Sequence, residues 1–418
     1  MNTDAAMDHS NRRLDDGEMH IPGGRVAMSP WRLDRLPFFN DDHYRLEERL
    51  LVWRDRNASL VGVEPHGDIA PLCREILAEL AASGLLSYVV PDPENSVAGK
   101  LDVRSICIIR EALAFDSCLV DSMFVMQGLG TSPVWRHPDP EVRKRYLVPA
   151  RQGQTIAALA LTEPDAGSDV GAITTSAVRD GADYVLNGRK AWITNGGIAD
   201  YYLVIARTGE APGSRGLSAF MVNAATKGLS CGAPEEMIAP HPISSLTFED
   251  CRVPESTMIG LPGQGFKAAM AGFDIFRPSV GAAAVGVARR ALRETIDRVR
   301  GRRLFGKTMA EMDSVQAKIA DMTADTESAA LMVYRAAWCA DTMATRVSTQ
   351  SALGKLVATE AAQRVVDAAV QLHGATGVWR GSIVENLYRD IRPMRIYEGA
   401  SEVQKVVIAR GVLSDNAQ

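Results

Sequence analysis

The first long pattern in the chain is helical. Over residues 41–154 apolar residues recur at intervals of three and four, as in Leu46, Leu50 and Trp53, and Pro and Gly residues separate the periodic segments. This spacing predicts an α-helical N-terminal domain. The preceding residues, 1–40, are polar and are predicted to form an N-terminal tail.

The pattern then changes to short β-rich runs over residues 155–255. Turn pairs such as Asn187-Gly188 separate the runs, as is typical of hairpins. The predicted strands cover residues 156–161, 184–186, 191–194, 201–206 and 217–222. We therefore predict a small, mostly antiparallel β-domain in the middle of the chain.

Helical periodicity returns over residues 256–418. Val280, Ala284 and Val287 form one apolar face of a long helix, and further periodic segments follow. Four or so such helices make a bundle. The predicted fold class is mainly α with a central β-domain, in the order N-terminal α-helical domain, middle antiparallel β-domain and C-terminal four-helix bundle.

The composition excludes several classes of protein. The chain is 46% hydrophobic and 23% charged, which is ordinary for a globular protein. With 46 Lys and Arg against 51 Asp and Glu, its net charge of −5 offers no attraction to nucleic acid or to an anionic membrane. The N-terminal residues have neither the charge pattern of a secretory signal nor that of a transit peptide, and no apolar stretch is long enough to span a bilayer. We expect neither nucleic acid nor a membrane as a partner.

The cysteines indicate a reducing compartment. All six are scattered along the chain, without a Cys-x-x-Cys pair or a histidine at zinc-ligand spacing. They are predicted to be reduced and mostly buried, in a cytoplasmic protein without a metal site.

The densest motif follows the first predicted strand, at residues 161–169. Pro164 sets a turn, Gly167 lets the backbone approach a ligand, and Ser168 adds a hydroxyl donor. This combination suits a phosphate or the edge of a flavin. An ordinary polar loop is the alternative.

A second motif lies at residues 187–196, where the sequence predicts a hairpin turn, a strand and another turn. Trp192 can cover one face of an aromatic cofactor, and Thr194 offers a hydroxyl to its polar edge. The alternative is a half-exposed core tryptophan in a small sheet.

Two charged features flank the long C-terminal helix. Asp274 and Arg277 lie three residues apart, so they share a helical face and can hold an amide and a carboxylate or phosphate. An intrahelical ion pair is equally consistent with the spacing. The basic turn at residues 301–307 can grip a pyrophosphate, or it is simply a solvated loop.

The last cluster surrounds Glu398, which stands between Tyr397 and Gly399. A carboxylate next to an aromatic ring can be partly desolvated, and this raises its proton affinity. The alternative is an ordinary surface glutamate in a loop.

Three of these segments resemble the signature motifs of acyl-CoA dehydrogenases. Residues 161–169 resemble the family's TEPxAGSD, residues 188–196 its GxKxWITNG, and residues 395–401 its RIYEGTS. The motifs occur in the family's order and spacing, and the resemblance extends over residues 46–412. One departure is Ala400, which stands where the family has a threonine.

The resemblance implies FAD as the cofactor and a homotetramer built from two dimers. It places FAD contacts along much of the chain. The implied contacts are Leu161, Thr162 and Ser168 at the flavin and pyrophosphate, Trp192 and Thr194 at the isoalloxazine, Arg302 and Phe305 at the FAD of a neighbouring subunit, Gln371 and Gly374 at the adenosine end, and Ala400 and Glu402.

The resemblance also implies the reaction, an FAD-dependent α,β-desaturation of an acyl thioester. Glu398 removes the α-proton while the β-hydrogen leaves as hydride to flavin N5, and an electron-transfer flavoprotein then accepts the electrons. Some relatives carry the base where this chain has Phe276, so Glu398 is the implied catalytic residue here. The implied substrate contacts are Ser168, Asp274, Arg277 and Gly399.

Several alternatives stay open. The same scaffold serves flavin oxidases and monooxygenases, and a DNA-binding relative exists, although the pI near 5.9 disfavours nucleic acid. Residues 122–127 are expected to line the acyl pocket. They reveal neither the acyl group nor whether its carrier is CoA or an acyl carrier protein.

Overall fold

The computed structural model describes residues 36–62, 67–94, 100–343 and 347–415. Most of the predicted N-terminal tail lies outside these ranges. Its last residues pack on the body of the protein, since the ring of Phe39 lies 4.9 Å from that of Tyr334, centroid to centroid. The predicted domain boundaries stay a prediction.

Helices make up the N-terminal part, as predicted. Asn40 caps the first helix, because its Oδ1 accepts hydrogen bonds from the N–H groups of Asp42 and His43. Leu46, Leu50 and Trp53 are buried, as their spacing predicted. The helices are α1 (Asp41–Arg56), α2 (Ala58–Val61), α3 (Ala70–Ala82), α4 (Val103–Asp116), α5 (Cys118–Thr131) and α6 (Pro140–Arg151).

The middle part is a seven-stranded sheet, and most of its pairings are antiparallel, as predicted. Its strands are β1 (Ala157–Ala160), β2 (Ser176–Asp180), β3 (Asp183–Thr194), β4 (Tyr201–Arg207), β5 (Leu217–Asn223), β6 (Leu229–Cys231) and β7 (Ile243–Pro254). Strand order is β1-β4-β2-β3-β7-β6, with β5 on β4. Because β4 runs parallel to both β1 and β2, the sheet is mixed.

The predicted hairpin turn at Asn187-Gly188 is wrong. Both residues lie inside β3, where the register against β7 shifts between Leu186 and Gly188. Gly188 has φ of 146°, and the Asn187 side chain accepts a hydrogen bond from the Asp250 N–H at 2.8 Å. The Asn-Gly pair therefore forms a β-bulge within one continuous strand.

Helices return in the C-terminal part, as predicted. They are α7 (Gly265–Gly301), α8 (Asp313–Thr342), α9 (Ser348–His373), α10 (Ile383–Met394) and α11 (Ser401–Asp415), with a short hairpin of β8 (Arg303–Leu304) and β9 (Lys307–Thr308) between α7 and α8. Helix α7 packs against α4, α8 and α9. A Cβ at Gly286 would lie 2.2 Å from the Glu111 carbonyl oxygen, so the close contact between α7 and α4 requires glycine.

All six cysteines are free, and all but Cys231 are buried, as predicted. Within the described ranges, no helix combines the length and the apolar character needed to cross a bilayer.

Candidate active site

A cavity of about 190 Å³ brings residues from all three parts of the chain together. Five of the predicted site residues line it, namely Leu161, Thr162, Trp192, Thr194 and Glu398. Much of the remaining wall is apolar. The predicted segment 122–127 contributes Ser122, Val125 and Met126.

A buried ion pair ties the two sequence motifs of the middle domain to each other. Lys190 Nζ donates to Glu163 Oε1 at 2.8 Å and to the Leu161 carbonyl at 3.0 Å, and both charged side chains are almost fully buried. Burial alone would raise the pKa of Glu163, but Lys190 and hydrogen bonds from Thr174 and Thr175 outweigh it and lower that pKa to about 2. The pair thus fixes the loop after β1 against β3.

Trp192 lies at an irregularity in the pairing of β3 with β7, and Thr194 is the last residue of β3. The register shifts between Lys190 and Ile193, and Trp192 has φ of 58°. The indole is 55% exposed although it forms part of the cavity wall. An accessible aromatic face beside the Thr162 and Thr194 hydroxyls fits a flat flavin ring and its polar edge.

The loop that carries Glu398 is held by two buried side chains. Glu398 has φ of 51° and Gly399 φ of 91°, so consecutive residues adopt the left-handed conformation. Lys355 Nζ donates to the Gly399 carbonyl at 2.8 Å. Gln404 Nε2 donates to the same carbonyl at 2.8 Å and to that of Glu398 at 3.3 Å. These bonds stabilise a turn that would otherwise be strained.

The carboxylate of Glu398 is buried and has one oxygen, Oε2, without a hydrogen-bond partner among the described residues. Burial raises the pKa of Glu398, and the positive charges of Arg110, Arg277 and Lys355 oppose this rise. A carboxylate with raised proton affinity, surrounded by cations that favour its ionised form, suits a general base.

Lys355 is fully buried in α9, and burial lowers its pKa to about 8 although the Glu398 charge opposes this. Arg110 and Arg277 each have a carboxylate partner, Asp121 and Asp274 respectively. Among the described residues Lys355 forms no such ion pair, and its ammonium group donates instead to the Gly399 carbonyl.

A second buried ion pair lines the cavity. Arg110 Nε and Nη2 donate to the two carboxylate oxygens of Asp121 at 2.8 and 2.7 Å, and Arg110 Nη1 donates to Ser279 Oγ at 3.0 Å. The nearby His241 also lines the cavity. A larger cavity of about 450 Å³ lies behind His241, and Glu398 does not line it.

Other predicted residues lie outside the cavity lining. Arg277 Nη1 lies 3.3 Å from Asp274 Oδ1, so the two residues form the intrahelical ion pair that their spacing allowed. Gly399 and Ala400 lie in the Glu398 loop. The remaining predicted contacts are exposed on this chain, namely Ser168, Arg302, Phe305, Gln371, Gly374 and Glu402. Exposure at Arg302 and Phe305 is consistent with contacts to a neighbouring subunit, which stay a prediction.

Sequence reasoning missed Arg110, Asp121, His241, Lys355 and Gln404. One signal was available for Lys355, which shares a helical face with small buried residues at positions 351, 358, 359 and 362. A lysine in such a stripe is unusual, because a buried ammonium group needs a specific partner.

Comparison with known proteins agrees with this geometry. Residues 158–251 match the family model "Acyl-CoA dehydrogenase, middle domain", and residues 263–413 match "Acyl-CoA dehydrogenase, C-terminal domain". The cyclohexane-1-carbonyl-CoA dehydrogenase of Geobacter metallireducens is 36% identical over 82% of this chain and 90% of its own length. The mitochondrial short-chain specific acyl-CoA dehydrogenase of Mus musculus is 37% identical, over 79% of this chain and 80% of its own.

Solved structures show the same similarity. The butyryl-CoA dehydrogenase of Megasphaera elsdenii superposes with a TM-score of 0.81 at 30% identity, covering 90% of this chain and 99% of that one.

Proposed function

The chain belongs to the acyl-CoA dehydrogenase family, and from this premise we propose that it desaturates an acyl thioester between the α- and β-carbons, with Glu398 as the base. The observation that carries the proposal is the buried Oε2 of Glu398, which has no hydrogen-bond partner within the described residues and belongs to a cavity shared with Trp192 and Thr194. A proton acceptor and a surface for a flat cofactor thus adjoin one small space.

The α-proton of a thioester is a weak acid, so the site must stabilise the enolate that forms as Glu398 removes it. The backbone N–H of Glu398 makes no hydrogen bond within the described residues and is available to the thioester carbonyl. An N–H aimed at a developing oxyanion is typically worth about 3 kcal/mol of activation free energy. The Lys355 and Gln404 bonds to the neighbouring carbonyls keep this N–H in place.

FAD is the proposed cofactor. Leu161, Thr162, Trp192 and Thr194 would hold its flavin ring. The half-buried Ala400 and the exposed residues would serve the rest of the cofactor, partly across subunits of a homotetramer; the exposed residues are Ser168, Arg302, Phe305, Gln371, Gly374 and Glu402. When bound, FAD supplies the acceptor for the hydride that leaves the β-carbon. An electron-transfer flavoprotein is the proposed final electron acceptor.

The names of the relatives favour a small acyl group. They specify cyclohexane-1-carbonyl-CoA, which has a single ring, and butyryl-CoA, which has a short chain. The flavin ring would occupy the part of the cavity beside Trp192 and Thr194, so only the remainder of the about 190 Å³ is left for the acyl group. Asp274, Arg277 and Gly399 are the proposed contacts of the thioester arm.

The test is Glu398→Gln, which keeps the size of the side chain and removes its ability to accept a proton. General-base catalysis is worth about 10²- to 10⁴-fold, and we expect a loss at or above the top of that range because proton removal begins the reaction. Flavin reduction by butyryl-CoA and by cyclohexane-1-carbonyl-CoA is followed anaerobically by stopped flow. The exposed Glu249 supplies the control, Glu249→Gln, with an unchanged rate.

A Glu398→Gln variant that binds FAD and reduces it within tenfold of the wild-type rate would show that another residue is the base. Oxygen uptake stoichiometric with turnover would instead favour an oxidase on the same scaffold.

A further inference from the structure

Three of the polar side chains that line the cavity belong to no proposed contact with FAD or the thioester. Arg110, Asp121 and His241 all line the cavity, together with apolar residues such as Val125 and Phe273. Arg110 and Asp121 are almost fully buried, and they form a bidentate pair with N–O distances of 2.8 and 2.7 Å. We name these three residues the Arg110–Asp121–His241 cluster.

The cluster has hydrogen-bonding capacity that the protein does not use. A guanidinium group has five N–H bonds, and the contacts of Arg110 to Asp121 and Ser279 occupy three of them. His241 Nδ1 is buried and makes no hydrogen bond within the described residues. A hydrocarbon group in the cavity would leave these polar atoms without water and without a partner, which is unfavourable.

The cluster has no excess positive charge. Asp121 neutralises Arg110, and burial lowers the pKa of His241 even though the Pro240 carbonyl and Asp121 act in the opposite direction. Asp390, which also lines the cavity, adds a further carboxyl group. The free carboxylate of a dicarboxylic acyl group would therefore find no uncompensated cation in the cluster, and Asp121 would repel it.

These two properties of the cluster, unused hydrogen-bonding capacity and no net positive charge, indicate the chemical class of the acyl group. We propose that the substrate is a small acyl thioester whose acyl group carries a neutral oxygen, a hydroxyl or a ketone, and that His241 and Arg110 bind this oxygen. The inference rests on the proposed dehydrogenase function, because it concerns the same cavity. It excludes plain alkyl groups and dicarboxylic acyl groups as preferred substrates.

The experiment compares two matched series of thioesters on the FAD-loaded enzyme. One series is hexanoyl-CoA, 6-hydroxyhexanoyl-CoA and adipoyl-CoA, and the other is cyclohexane-1-carbonyl-CoA with its 4-hydroxy and 4-oxo derivatives. We expect at least one oxygenated thioester to exceed its alkyl parent about tenfold in kcat/KM, the effect of about one hydrogen bond. Adipoyl-CoA is expected to be the poorest substrate of its series.

Two variants test whether the cluster causes the preference for oxygenated thioesters. His241→Phe keeps an aromatic ring but removes the hydrogen bond, and it should bring the ratio between oxygenated and alkyl thioesters close to one. Met126→Leu, at an apolar position of the same wall, should keep the wild-type ratio whatever its effect on the rate. Dissociation constants measured by calorimetry in a Glu398→Gln background should show the same preference without turnover.

Preference for the alkyl thioesters, or an unchanged ratio in His241→Phe, overturns the inference while leaving the dehydrogenase function intact. If no thioester of either series reduces the bound flavin, the dehydrogenase function fails and the inference fails with it.

Discussion

Replacement of Lys355 by methionine separates the geometry of the Glu398 loop from its electrostatics. Methionine has a similar length and no charge, so it can fill the buried space. The Gly399 carbonyl keeps one hydrogen bond, because Gln404 Nε2 also donates to it at 2.8 Å. The loop should therefore keep its conformation while Glu398 loses the charge of Lys355.

The expected effect on stability is small. Burial holds the pKa of Lys355 at about 8, below its ordinary 10.5, so the folded site disfavours the ammonium group. Its removal leaves the Gly399 carbonyl bonded to Gln404, and we expect the free energy of unfolding to change by less than about 1.5 kcal/mol, the net value of one hydrogen bond.

The pH dependence of stability gives a second readout. Between about pH 8 and 10.5 the unfolded wild-type chain binds more protons at Lys355 than the folded chain does, so this residue makes stability rise with pH. The variant lacks this contribution.

The expected effect on the reaction is large. Lys355 is one of three cations that lower the pKa of Glu398, and a neighbouring opposite charge typically lowers a carboxyl pKa by about 1–3 units. Loss of the Lys355 charge should therefore shift the equilibrium of Glu398 toward its protonated form by about tenfold or more. Flavin reduction should slow by a similar factor at acidic pH and recover as the pH rises.

The assay is the rate of flavin reduction by a fixed thioester from pH 5.5 to 9, measured by stopped flow. The acid limb of the profile should move to higher pH in Lys355→Met. Gln404→Leu removes neutral hydrogen bonds to the same loop and should lower the rate without moving that limb. If Lys355→Met slows the reaction equally at every pH, the electrostatic reasoning is wrong and Lys355 acts only through loop geometry.

Lys190→Met leaves Glu163 as a buried, unpaired charge and should cost about 3–5 kcal/mol in chemical denaturation, with part of the loss restored by adding Glu163→Gln. Gly286→Ala places a Cβ 2.2 Å from the Glu111 carbonyl and should lower the free energy of unfolding by about 1–3 kcal/mol or more, whereas no loss would mean that α4 and α7 separate easily. Arg302→Ala should weaken FAD retention and subunit association, measured by ultrafiltration and light scattering, and unchanged values would identify Arg302 as a solvated loop charge.

The sequence by itself determined the order of helices, strands and helices, since each element depends on a local periodicity. It also indicated, through the resemblance of three motifs to those of a known family, which short segments adjoin the cavity. Trp192 and Thr194 belong to one strand, and Glu398 lies within residues 395–401, which resemble a family motif. Where one short segment suits two local structures, the sequence alone could not decide between them. Asn187-Gly188 suits a tight turn and a bulge equally, and the pairing of β3 with β7 selected the bulge.

Only the tertiary structure decided what surrounds Glu398. Lys355 lies 44 positions from its acceptor Gly399, and Arg110 lies 169 positions from Ser279, so no local pattern connects them. Burial also depends on the packing of α9 and α4 against α7, which decides whether a charge is solvated or confined. The proton affinity of Glu398 and the polarity of the cavity are therefore properties of the folded chain, because both arise from charges that folding brings together away from water.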